Sequence, residues 1–134
     1  MKEEVQKKYM ELQLIQRQLQ AIQQQVQALE SQAGEMDLVQ QVLEEFSTSA
    51  PGSDSFVTLT PGVFVKAKVL ETNKVVLNIG AGAAVEKSIP DAKKIMADQG
   101  VELRKLQEEL IGQLQKFAQR AEQLQDELRS LVKE

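Results

Sequence analysis

Residues 12–36 read LQLIQRQLQAIQQQVQALESQAGEM, and their spacing decides the fold. Apolar side chains fall at Leu12, Ile15, Leu19, Ile22, Val26, Leu29, Ala33 and Met36, in steps that alternate strictly between three and four. An α-helix turns once in about 3.6 residues, so this spacing draws one apolar stripe down one side of it, the pattern of a coiled coil. Gln fills most positions between, which makes the rest of the helix a solvated face. A stripe so narrow cannot hold an isolated helix together in water, and so it demands a partner helix. Val5 extends the register backwards, whereas Lys8 takes the next seam slot with Tyr9 beside it. Past Met36 the phase slips, with Val39, Leu43 and Phe46 keeping the stripe apolar until residues 47–53, STSAPGS, form a loop.

The partner lies at the other end of the chain. Ser88 and Asp91 have the spacing of a capping box, and Pro90 is tolerated in a first helical turn. Apolar residues then recur at Leu103, Leu106, Leu110, Leu114, Phe117, Ala121, Leu124, Leu128 and Leu131. Two consecutive steps of four, Leu106 to Leu110 to Leu114, predict a stutter that relaxes the supercoil locally. Gly100 and Gly112 each weaken a helix by up to about 1 kcal/mol relative to Ala, which makes them places for a bend. Residues 1–47 and 89–134 are nearly equal in length, roughly 65–70 Å at 1.5 Å per residue. They therefore fit together as an antiparallel coiled-coil hairpin, with Met1 close to Glu134.

Between them, residues 48–88 change period. Val65, Ala67 and Val69 alternate with Lys66 and Lys68, and Val75, Leu77 and Ile79 alternate with Val76 and Asn78. A period of two marks strands. Turn signals at Thr60-Pro61-Gly62, at residues 71–74 and at Gly80-Ala81-Gly82 cut the segment into strands over about 56–60, 63–70, 75–79 and 83–87. Two hairpins are too little sheet to bury their own face, so the strands call for other chains. The fold class is α+β: a single domain of a long antiparallel coiled-coil hairpin carrying two central β-hairpins.

Composition excludes several functions. Only 4% of residues are aromatic and none is Trp, against 42% hydrophobic overall, which suits a long seam better than a compact core. The net charge is −4 and no segment is strongly basic, so nucleic acid is a poor partner. The chain has no His and no Cys, which removes the commonest general base and the best nucleophile. The paired carboxylates Glu3-Glu4, Glu44-Glu45 and Glu108-Glu109 lie on helices where a solvated face is the default reading. Gly80-Ala81-Gly82 follows a strand but lacks the third glycine and the immediate helix of a dinucleotide-binding turn, so it reads as turn geometry. Neither enzyme activity nor a cofactor is expected. No apolar run is long enough to cross a membrane, no signal peptide is visible, and a cytoplasmic protein is expected.

Two long coiled-coil segments around two β-hairpins resemble prefoldin, specifically its α class. Residues 58–66, TLTPGVFVK, resemble the family's first hairpin, and residues 73–87, NKVVLNIGAGAAVEK, its second. Ala84 stands where many members carry a larger residue. The resemblance implies a hetero-hexamer of two α and four β-type subunits, whose hairpins form a multi-subunit β-barrel. It also implies an ATP-independent holdase, a chaperone that captures unfolded proteins at the coiled-coil tips and delivers them to a group II chaperonin. A structural coiled-coil scaffold or filament without client binding is the alternative.

Two sets of candidate residues follow. Near the shared end lie Met1, Val5, Tyr9, Met10 and Leu12 from one helix and Leu124, Leu128, Leu131 and Val132 from the other, as client-binding candidates. For Val5, Leu12, Leu124, Leu128 and Leu131 the competing reading is the seam itself, and sustained heptads favour it for Leu12 and Leu124. Methionines adapt to irregular apolar surfaces, which suits a binder of many sequences. In the strands, Phe64, Val65, Ala67, Val69, Val75, Leu77 and Ile79 are candidates for barrel interior or subunit interface, and Phe56 could join either face.

Overall fold

The computed structural model describes residues 2–133. Helix α1 spans Lys2–Ser47, strands β1 to β4 span Asp54–Thr60, Val63–Lys68, Lys74–Gly80 and Ala83–Ser88, and helix α2 spans Ile89–Lys133. Gly100 and Gly112 sit inside one uninterrupted helix. The expected neighbourhood of Met1 and Glu134 lies outside the described residues. Contacts group the chain into two units, one from the α1 residues up to Ala33 and the α2 residues from Val101, the other from Gly34–Gly100.

In the first unit the heptad positions of α1 are the seam. Leu12, Ile15, Ala121 and Leu124 form a buried cluster, with Leu19, Phe117 and Leu128 packed around it. Ile22, Leu29 and Ala33 are buried as well. The helices run antiparallel, because Lys8 meets Glu127, Glu11 meets Arg120, and Val26 meets Gln107.

On α2 the expected stutter is absent. Leu106 is 47% exposed, and its neighbour Gln107 is half-buried in the seam. With Gln107 the stripe runs Leu103, Gln107, Leu110, Leu114, Phe117, Ala121, Leu124, Leu128 and Leu131, alternating steps of four and three throughout. A glutamine is tolerated there because its Nε2 donates 2.8 Å to Glu30 Oε2 and 3.4 Å to the Val26 carbonyl across the seam. Adjacent residues on a helix point about 100° apart, so Leu106 and Gln107 cannot both face the partner.

The second unit holds both hairpins, as two separate two-stranded antiparallel sheets. Leu43, Leu77, Ile89 and Ala92 form its buried cluster, surrounded by Val39, Phe46, Val75, Ile95 and Met96. Val39, Leu43 and Phe46, the residues beyond the phase slip, therefore face this cluster. Gln40 is half-buried beside them and donates 2.6 Å to the Lys93 carbonyl. Here too a glutamine between the helices bonds to backbone of the opposite one.

Turn chemistry fixes the hairpins. Pro61-Gly62 joins β1 to β2 with Gly62 at φ 83°, the sign that a type II turn requires at its second central residue. Ala81 and Gly82 join β3 to β4 with φ 52° and 73°, both positive as in a type I′ turn, and Asn78 Oδ1 accepts the Gly80 N–H at 3.0 Å. The second strand stops at Lys68 rather than reaching Leu70, which is 84% exposed. Val69 still extends the hairpin base, its N–H donating 3.2 Å to the Ser53 carbonyl and its own carbonyl accepting Gly52 N–H at 2.6 Å. Ser88 caps α2 as expected, its Oγ accepting the Asp91 N–H at 3.3 Å.

Candidate functional site

Two surfaces are candidates: the terminal end of the helix pair in the first unit, and the hairpins in the second. At the helix ends, Leu12 and Leu124 are buried in the seam, Leu124 completely. Val5, Leu128 and Leu131 are half-buried beside them. Tyr9, Met10 and Val132 are 54%, 68% and 74% exposed, so these three candidates present apolar surface to solvent. Met1 lies outside the described residues. Leu14, 56% exposed, was invisible to heptad reading because it sits off the seam. It is four residues from Met10, hence on the same face. Met10, Glu11, Gln13, Leu14 and Arg17 line one surface groove there. An apolar residue at an outward heptad position in a Gln-rich helix was the available signal.

Charge closes this end. Lys8, in its seam slot, places Nζ 2.6 Å from Glu127 Oε2 and 3.8 Å from Glu4 Oε1. Arg120 grips Glu11 with two bonds, of 2.9 and 3.2 Å. The hydrogen bond from Lys8 holds the Glu127 carboxyl below its usual range, desolvation working against it and the charges of Lys8 and Arg120 adding to it. The same bond raises the Lys8 ammonium above its ordinary value. The Arg120 guanidinium is raised by its bond to Glu11.

The hairpins divide by burial. In β3–β4, paired with Leu77 opposite Val85, one face turns inward: Leu77 is buried and Val75 and Val85 are half-buried. Val76 and Ile79 are 68% and 56% exposed. In β1–β2, paired with Val57 opposite Val65, only Ser55 and Ala67 are half-buried within the strands, and Val69 at the hairpin base. Phe56, Val57, Leu59, Val63, Phe64 and Val65 are all exposed, Phe56 at 72% and Phe64 at 60%. Of the seven expected interface residues, Leu77 and Val75 are thus engaged within the chain's own cluster. Phe64, Val65 and Ile79 stay open, and Ala67 and Val69 lie between. Phe56, Leu59 and Leu70 add to the exposed set, and Phe56 was the one with a visible signal, an aromatic at a strand start.

No helix among the described residues is long and apolar enough to cross a membrane. The fold and these surfaces define a class: two long helices flanking two β-hairpins that keep apolar side chains exposed. A family model described as "Prefoldin subunit" matches residues 15–134. The chain is 28% identical over 125 residues to prefoldin subunit alpha of Archaeoglobus fulgidus, covering 93% of this chain and 91% of that one. It is 36% identical over 109 residues to the Methanopyrus kandleri prefoldin subunit alpha, covering 81% and 69%. Against the Nitrosopumilus maritimus prefoldin subunit alpha it is 34% identical over 82 residues, spanning 61% of this chain and 57% of that one. Among solved structures, a chain of filamentous PFD from Methanocaldococcus jannaschii, determined by cryo-EM, superposes with a TM-score of 0.78 at 19% identity, covering 86% and 95%. The chain belongs to the prefoldin family, a family of non-enzymatic chaperones.

Proposed function

We propose that this chain is the α subunit of a hexamer with four β-type subunits, and that it works as an ATP-independent holdase. Non-native chains are held at the coiled-coil tips and handed to a group II chaperonin. The observation that carries this is the set of exposed apolar side chains, Tyr9, Met10, Leu14 and Val132, near a helix-pair end whose seam residues Leu12 and Leu124 are buried. Each such side chain covered by a client contributes on the order of 1–2 kcal/mol, weak alone but useful when several tips act on one chain. Flexible, low-specificity contacts suit a binder of many sequences. The exposed hairpin residues support the assembly half of the reading, since unpaired apolar strands are stable in solution only when other strands cover them.

The test dilutes a denatured protein into buffer without nucleotide and follows light scattering in the presence of this chain and a β-type partner. Replacing Tyr9, Met10, Leu14 and Val132 by Ser removes the exposed apolar set and leaves the seam intact. Suppressed aggregation that the substituted complex no longer provides supports the reading. Aggregation unaffected by the wild-type complex, with its mass showing an assembled oligomer, would turn the reading to a structural scaffold.

A further inference from the structure

The seam slot between Val5 and Leu12 is filled by a lysine, where an apolar residue would close the coiled coil by burial. Lys8 is only 24% exposed, and its contacts across the interface are charged: Glu127 at 2.6 Å from the facing helix, with Glu4 at 3.8 Å on its own. The Glu11–Arg120 pair lies just inside it, and there the apolar cluster of Leu12, Ile15, Ala121 and Leu124 begins. The last heptad is therefore shut by charge, and the seam behind it by burial. Beyond the charge lie Val5 and Leu131, half-buried, whereas Leu128 packs against the cluster itself.

We propose that the Lys8–Glu127 pair is an ionic latch that sets how much of the apolar end of the seam an unfolded chain can reach. The inference rests on the holdase reading. Closure by burial would hide Val5 and Leu131 permanently. Closure by a partly exposed ion pair is weak and reversible, and it yields to salt. Opening stops at Leu12 and Leu124, because the cluster there needs no charge to stay shut. The latch is thus a local fraying of one heptad, and it presents seam residues in addition to the exposed apolar set.

The chain has no cysteine, so Gln6→Cys and Ser130→Cys, both at exposed positions, place two spin labels across the latch of each copy and nowhere else on this chain. Label distances are read by pulsed electron paramagnetic resonance in the assembled complex, as potassium chloride is raised from about 0.05 to about 0.5 M to shorten the screening length. In the same samples, affinity is measured for reduced, carboxymethylated α-lactalbumin, which cannot fold. The latch predicts distances that lengthen and broaden with salt. Glu127→Gln should be open at both salt levels, and Lys8→Leu, which completes the apolar seam, closed at both. Affinity should follow opening by about two- to fivefold, the range that one exposed ion pair supplies. Distances that ignore both salt and substitution overturn the latch, and so do distances that move while affinity stays constant. Absence of α-lactalbumin binding in every variant, with the complex intact, overturns the holdase reading instead, and the label distances still decide whether the latch opens.

Discussion

The register of α2 can be tested by comparing two leucines, Leu124 and Leu106, each truncated to Ala. Leu124 is completely buried, packed among Leu12, Ile15 and Ala121 with Leu19, Phe117 and Leu128 around it. Truncation removes about three carbon groups at about 0.8 kcal/mol each, and a cavity term adds to that where neighbours relax incompletely. A two-helix seam can relax more than a globular core, so the expected loss is about 2.5–3.5 kcal/mol. Leu106 is 47% exposed, so only about half of the transfer term applies, and Ala is the better helix former. The expected loss there is about 0.5–1 kcal/mol. The assay is urea unfolding of the assembled complex, followed by helical circular dichroism at one fixed protein concentration, since assembly makes stability depend on concentration. Equal losses at the two positions would refute the seam through Gln107 and restore the stutter through Leu106.

Further outcomes follow from the same geometry. Ser88→Ala removes the acceptor of the Asp91 N–H and should lower stability by about 1 kcal/mol in the same urea assay. The Glu127 carboxyl is held low by Lys8, so the folded tip binds that proton less readily than the unfolded chain. Its contribution is complete above the ordinary carboxylate range and disappears as pH falls through and below that range. A carbon-13 NMR titration should show the Glu127 midpoint rise in Lys8→Met, and an unchanged midpoint would argue against the pair. Phe56→Ser with Phe64→Ser leaves the buried cluster of Leu43, Leu77, Ile89 and Ala92 untouched. It should lower the assembled mass in sedimentation while helical dichroism per residue is kept. Retention of full mass would remove these rings from the assembly surface.

The glycine of each hairpin turn and the heptad of α1 were legible because each is a local physical requirement. Gly62 supplies the positive φ that a type II turn needs, and Leu12 to Met36 repeat at a spacing that only a paired helix can bury. The exposed apolar set was legible in part. Tyr9, Met10 and Val132 were visible near the chain ends, whereas Leu14 looked like an unremarkable outward position. Sequence patterns rank residues by apolarity along a seam, and they carry no information on surface that remains after pairing.

The sequence by itself determined a paired-helix protein with two hairpins, since periodicity and turn residues are properties of the chain alone. Only the tertiary structure decided between Leu106 and Gln107, because a seam glutamine is acceptable once a facing carbonyl and carboxylate receive its donors, and those belong to the other helix. Only the structure paired Lys8 with Glu127, 119 residues apart in the chain. It alone separated the two hairpins, burying Leu77 against Leu43, Ile89 and Ala92 while leaving Phe56 and Phe64 open. Both hairpins alternate with the same period, so their patterns are alike. Which apolar face is covered depends on what the helices bring to it, and a strand's sequence does not contain its neighbours.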